Sequence, residues 1–327
     1  MTDHTLKDIL TAVDGAGTLL LTTHIQPDGD AIGSLLTLYE FVVSRGKKAR
    51  MVLQDPVPEN LRFLPYADCI LPVSGLDGPA DDLAISVDAS DVDRLGEAAA
   101  PFFKAGQTVQ MDHHRTNTRF AATNVVREEA SSSGVVVYEL LKLAGTDITQ
   151  TMATNLYTAV STDTGNFCFG YLNDELFEQM AVLMRAGLPI VETARRLHLM
   201  HSREQVLLLG RALRSLTFLE DGQLTMMQLT AADFRDCNAT GEHTERTVNY
   251  ALNIPGVQMC FLASELPEGI KFSLRCLAPY DVSQVASFFG GGGHALAAGC
   301  TLQGTLEDSV DRMRRVLTGL LNGQWRL

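Results

Sequence analysis

In the first half of the chain, short apolar runs alternate with helical patterns, and blocks of histidine and aspartate close several of the apolar segments. Residues 18–22, 49–53, 82–87 and 107–111 read as buried strands. Residues 31–44 read as a helix with Ile32, Leu35, Leu36, Tyr39 and Val43 on one side. Such alternation favours an α/β domain with a largely parallel sheet. In an open sheet of that kind, ligands collect beyond the carboxyl ends of the strands. The polar blocks lie there.

The blocks are His24-Ile25-Gln26-Pro27-Asp28-Gly29-Asp30, then Asp88, then Met111-Asp112-His113-His114-Arg115. Two helical patterns, 131–144 and 150–160, then lead into Ser161-Thr162-Asp163-Thr164-Gly165. Aspartate and histidine suit hard divalent ions, and no thiolate is interleaved. Gly29 permits a tight turn that aims Asp28 and Asp30 into one pocket. Asp28, Asp30, Asp88 and Asp163 together carry four negative charges, which two divalent cations neutralise. Without cations, converging carboxylates raise one another's pKa. With them, water is activated as a nucleophile. Hydrolysis of a phosphate ester is therefore expected.

Singly, each block has an ordinary reading. Asp28-Gly29-Asp30 is a surface turn with Asp30 capping the next helix, and Thr162-Asp163-Thr164-Gly165 is a capped turn. Adjacent histidines are commonly incidental. Their joint occurrence, in this order and at these ends, favours a site.

A helix-rich stretch covers about 174–214, after which the pattern changes. Strands are expected at 224–229, 257–264 and 270–276, with helices around 242–252, 282–289 and 306–321, which describes a smaller α+β domain. Gly290-Gly291-Gly292-Gly293-His294 is either a flexible loop or a place where backbone N–H groups approach a phosphate closely.

These segments together resemble the DHH phosphoesterases, and within them the nano-RNase and 3′-phosphoadenosine-5′-phosphate (pAp) phosphatase subgroup. The resemblance rests on His24–Ser34, Asp88–Gly96, Asp112-His113-His114 through Phe120, and Asp163–Phe167. In the second half it rests on Gly290–His294 with Ala297-Ala298-Gly299. It implies a catalytic domain at 1–187, a helical linker at 188–214 and a substrate-binding domain at 215–327. It implies two Mn2+ ions, with Mg2+ the alternative. His24, Asp28 and Asp88 would hold one, and Asp30, Asp88, His113 and Asp163 the other. Asp112 would orient His113 or a neighbour, and His114 would contact the scissile phosphate. Arg275, on a strand leading toward the glycine run, would clamp a terminal phosphate with Gly291, Gly292, Gly293 and His294. Arg115, Arg119 and Asn117 rank lower as substrate contacts. Gln26, where many relatives carry Asn, is the one departure.

A formal net charge of −13 opposes long duplex nucleic acid, which is held mainly by many phosphate contacts from Lys and Arg. It permits short oligoribonucleotides and nucleoside bisphosphates gripped by a few arginines. At 7% aromatic residues, no run of stacking platforms for a long strand is evident. The six cysteines are scattered, without a C-x-x-C pair, and are expected to be free thiols. No basic leader follows Met1 and no apolar stretch is long enough to span a bilayer, so the cytoplasm is the expected location and no membrane partner is expected. Oligomeric state is not readable. The rival readings are hydrolysis of linear dinucleotides from cyclic signalling molecules, an inorganic pyrophosphatase, and a catalytically dead nucleotide sensor.

Overall fold

A computed structural model of the chain describes residues 5–76 and 78–325. The first four residues, read above for a leader, lie outside the described residues, as does the side chain of His294. The chain divides into two compact units, Met1–Met200 and His201–Leu327.

The first unit is built on six strands: β1 (Thr18–Thr22), β2 (Lys48–Leu53), β3 (Ile70–Pro72), β4 (Leu83–Val87), β5 (Gln107–Asp112) and β6 (Thr123–Val126). They lie in the order β3-β2-β1-β4-β5-β6, and every pairing is parallel. Helices α1 (Leu6–Gly15), α2 (Gly29–Ser44), α3 (Ala99–Lys104), α4 (Ser133–Leu143), α5 (Gln150–Asp163), α6 (Asp174–Arg185) and α7 (Ile190–His198) complete it. Successive residues of β1 face opposite sides of the sheet. Leu19 and Leu21 pack with Ile32, Leu36 and Val136, whereas Leu20 packs with Val52, Ala84 and Phe102. Burial on both faces explains why these strands are continuously apolar.

The strand order reverses at β1 and β4, the switch point where doubly wound sheets open a crevice. Register aligns Thr22 with Ser86 and Val87 with Met111, so the ends of β1, β4 and β5 finish nearly level.

The second unit opens with α8 (Arg203–Arg214) and carries β7 (Thr217–Leu219), β8 (Leu224–Leu229), β9 (Met259–Leu266), β10 (Gly269–Cys276), β11 (Gly292–His294) and β12 (Ala297–Leu302). Their order is β11-β12-β10-β9-β8-β7. β8 and β9 run parallel, and the other neighbours are antiparallel. Helices α9 (Ala231–Cys237) and α10 (Asn249–Leu252) cover one face with α8, and α11 (Val282–Phe288) and α12 (Leu306–Leu321) cover the other.

The stretch read as a linker consists of two helices with separate attachments. Leu197 of α7 is buried in the first core, and Leu208 and Ala212 of α8 in the second. The helix expected at 242–252 is interrupted: a 3-10 turn spans Gly241–Thr244 and α10 begins only at Asn249.

Candidate metal centre

His24 follows β1 and is 6% exposed. Its Nδ1 lies 2.8 Å from the carbonyl oxygen of Ile25, and its Nε2 faces the site. That Nε2 is 3.5 Å from Asp88 Oδ2 and 3.9 Å from Asp28 Oδ1. Burial works against charge on His24, but hydrogen bonds to Asp28 and Asp88 outweigh it and raise its pKa to about 10. Arg94 was missed from sequence. Its Nη2 sits 2.9 Å from His24 Nδ1, behind the face that looks into the site.

Asp28 is the N-cap of α2, accepting from the N–H groups of Asp30 and Ala31. The capping role expected of Asp30 thus belongs to Asp28, and Asp30 is released to point inward. Gly29 is also used differently from expectation. It is the first residue of α2, not a turn, and a Cβ there would fall 2.4 Å from the Thr162 side chain. Gly33, one turn on, would bring a Cβ within 2.3 Å of the Asn155 carbonyl oxygen. The two glycines let α2 approach α5 closely, which brings Asp30 and Asp163 to the same place.

Asp30 is fully buried, and α4 holds it. The N–H groups of Ser133 and Gly134 donate to its two oxygens at 2.6 and 2.9 Å, and Ser34 Oγ donates at 3.0 Å. A helix N-terminus stabilises negative charge. Burial and the charges of Asp88, Asp163 and Asp28 nevertheless push its pKa well above the ordinary value.

Asp88 occupies the left-handed region at φ 56°, which Asp tolerates better than most residues. Its N–H donates to Met111 O at 3.0 Å, which fixes this bend against β5. Ser133 Oγ donates to its Oδ1 at 2.9 Å. Burial opposes its ionisation, yet the hydrogen bond and charge of His24 and the charges of His113 and His114 hold it below the usual carboxylate range.

The triplet separates into distinct roles. His113 Nδ1 is 3.2 Å from the Ala130 carbonyl, and its Nε2 lies 3.4 Å from Asp163 and 3.7 Å from both Asp30 and Asp88. Asp112, wholly buried, accepts from His114 Nδ1 at 2.8 Å, so the imidazole it orients is His114 and not His113. Burial lowers the basicity of His114, but the Asp112 hydrogen bond and the charge of Asp88 raise its pKa to about 9. Asp163, at the end of α5, is lifted to about 7 by burial and by Asp88 and Asp28, against the pull of His113.

Asn117 is committed to the protein. Its Nδ2 donates to Asp112 Oδ2 and Ala89 O, and its Oδ1 accepts from the Arg119 N–H. Asn117 thus braces Asp112. Arg115 is 79% exposed and lies 3.6 Å from Glu128.

In the second unit, Arg275 is half-buried on β10, with Nη1 donating to Leu274 O at 2.9 Å. It pairs with Ala297 of β12, which pairs with His294 of β11. Only a small alanine therefore separates these two positions across the sheet. The end of the glycine run, Gly292 and Gly293, forms a strand of a hairpin with His294. A Cβ at Gly291 would fall 2.1 Å from Gly299 O, and Gly293 has φ 139°. Gly292 pairs with Gly299.

Three overlapping sets of donor atoms result: His24, Asp28 and Asp88; Asp30, His113 and Asp163; Asp88, His113 and His114. Within each set the atoms lie within 4.8 Å of one another. These donors fit divalent ions. They are hard oxygens and imidazole nitrogens, and the raised pKa values of Asp30 and Asp163 mark a crowd of carboxylates that protons now relieve and cations would relieve better.

Residues 18–160 match the DHH family N-terminal domain, and residues 225–323 match the DHHA1 domain. A bifunctional oligoribonuclease and PAP phosphatase, NrnA of Thermus thermophilus, is 32% identical, the match covering 94% of this chain and 91% of the relative. The protein of the same description from Bacillus subtilis is 23% identical, covering 93% of each. Among solved structures, an exopolyphosphatase-related protein from Bacteroides fragilis superposes with a TM-score of 0.92 at 26% identity, covering 96% of this chain and 95% of its own.

Proposed function

The chain belongs to the DHH family, and from that premise we infer that it is a metal-dependent phosphoesterase hydrolysing short oligoribonucleotides and pAp to mononucleotides and phosphate. The observation that carries this reading is the overlap of the donor sets at Asp88 and His113. Shared donors would suit two ions, with Asp88 contributing to the holding of both.

His24, Asp28 and Asp88 would hold one ion, and Asp30, Asp88, His113 and Asp163 the other, Mn2+ being the ion we propose. Bound there, such ions activate water and stabilise charge on phosphoryl oxygens. Asp30 is preset by the α4 N-terminus, so its carboxylate needs no reorganisation when substrate arrives. His114, whose Nδ1 is held by Asp112, would contact a phosphoryl oxygen and, in its protonated form, donate a charge-assisted hydrogen bond to it. Arg275 would seat a terminal phosphate through its planar guanidinium, beside the close-approach backbone of Gly291, Gly292 and Gly293 and the position of His294.

Metal-stripped protein should release phosphate from pAp only after Mn2+ is restored. Asp88→Ala should lower turnover by orders of magnitude while the far-UV spectrum is unchanged, because Asp88 would serve both ions. Full activity in chelator, or near-normal turnover of folded Asp88→Ala, contradicts the reading.

A further inference from the structure

We propose that Phe169 is a stacking platform for the nucleobase adjoining the ester that is cleaved, an inference that rests on the nucleotide-hydrolase reading above. A single exposed phenylalanine is ordinary on a protein surface. Phe169, at 59% exposed, is set apart by how it is held and where.

The chain leaving Asp163 does not wander. Thr164 is wholly buried, and its carbonyl accepts from the N–H groups of both Cys168 and Phe169 at 2.9 Å. Its Oγ1 accepts from the Phe167 N–H at 3.0 Å. Gly165, Asn166 and Phe167 all adopt left-handed backbone, with φ between 54° and 64°. Three such residues in succession persist only when their surroundings fix them, a condition that recurs at functional sites.

The result divides two aromatic residues. The Phe167 ring turns inward, 6.4 Å from Tyr157 and 5.7 Å from Phe177. The Phe169 ring is laid over Gly165, where a Cβ would fall 2.5 Å from its Cδ2 and 2.6 Å from its Cε2. Gly165 is two residues from Asp163, at most about 7.6 Å along the chain between Cα atoms. The Cδ2–Cε2 side of the ring is thus seated against the backbone two residues from a proposed metal donor, while the residue remains largely exposed. A base attached to a phosphate at that centre would be the partner for its exposed surface.

A phenyl ring offers a base a π face and no hydrogen bond, so it accepts any base. One ring serves one base, in keeping with short substrates.

The test compares an adenosine dinucleotide with its abasic counterpart. Stacking on one aromatic ring is worth roughly five- to hundredfold in affinity per base. Phe169→Ala should raise KM for the dinucleotide by that factor and leave kcat and Tm nearly unchanged. Phe169→Trp should restore KM. The abasic substrate should already bind poorly to wild-type protein, and Phe169→Ala should not weaken it further. An equal effect on both substrates, or none on either, overturns the stacking role while the hydrolase reading stands. Failure of the wild-type protein to hydrolyse the dinucleotide at all overturns both.

Discussion

Asp163 and His24 show what the carboxylate–imidazole crowd means in energetic terms. Both carry pKa values raised in the fold, to about 7 and about 10. The proton-linked stabilisation of His24 is complete below its ordinary value near 6.5 and is lost as pH rises toward 10. That of Asp163 is complete below 3.8 and is lost as pH rises through 7. Cations compete with these same protons. The increase in Tm caused by saturating Mn2+ should therefore be larger at pH 8 than at pH 6, measured by calorimetry against chelator-treated protein. An increment that is flat or falls with pH contradicts the donor assignment. The proposed metal donors were legible in sequence because aspartate and histidine at strand ends are conspicuous. Ser133 and Gly134 were not, because they act on Asp30 through backbone N–H groups, which every residue possesses. The Ser131-Ser132-Ser133-Gly134 run ahead of an apolar helix was the available signal, and it reads equally as a plain helix start.

At the scale of elements, the close approach of α2 and α5 sets the distance between Asp30 and Asp163. Gly33→Ala would place a Cβ 2.3 Å from the Asn155 carbonyl oxygen and 2.9 Å from the Ala159 nitrogen. Overpacking of this kind typically costs about 1–3 kcal/mol. Gly33→Ala should lower stability by that amount in denaturant melts and weaken Mn2+ binding, since the helices that separate carry proposed donors. Gly15→Ala, with nothing within 4 Å of its Cβ, is the control and should change neither. If Gly33→Ala leaves Mn2+ affinity intact despite lost stability, helix spacing does not set the site. The second element-scale prediction concerns β10. Arg275→Ala should raise KM for pAp and dinucleotides by roughly ten- to hundredfold, the typical loss of a charge-assisted hydrogen bond, with metal binding unchanged. Equal weakening of substrates with and without a terminal phosphate would remove Arg275 from that role. Strands with long apolar runs were readable nearly to the residue, as at β1 and β8. Short β3, whose residues are largely exposed, and β11, made of glycine and histidine, show no apolar alternation and gave no strand signal. The hairpin of β11 and β12 exists because Gly291 and Gly293 permit contacts that any side chain would block.

The whole molecule divides its labour, with the proposed metal donors in the first unit and the proposed phosphate seat in the second. The alternation of strands and helices was enough to place an α/β unit ahead of an α+β unit. It could not show where one ends, because α7 and α8 have the same periodic pattern and differ only in which core receives their apolar faces. None of the described helices is long and apolar enough to cross a membrane. A net charge of −13 disfavours sustained contact with a long polyanion, and the proposed substrates would be held by local recognition through a few groups. Substrate length is therefore the property on which the account stands. The most direct measurement is kcat/KM of the Mn2+-loaded protein across pAp, a 5′-phosphorylated RNA series from dinucleotide to decamer, a long single strand and pyrophosphate. The account predicts highest values for pAp and the shortest RNAs, a steep fall with length, and negligible turnover of pyrophosphate and the long strand. Values that are flat or rise with length, or that are greatest for pyrophosphate, contradict it.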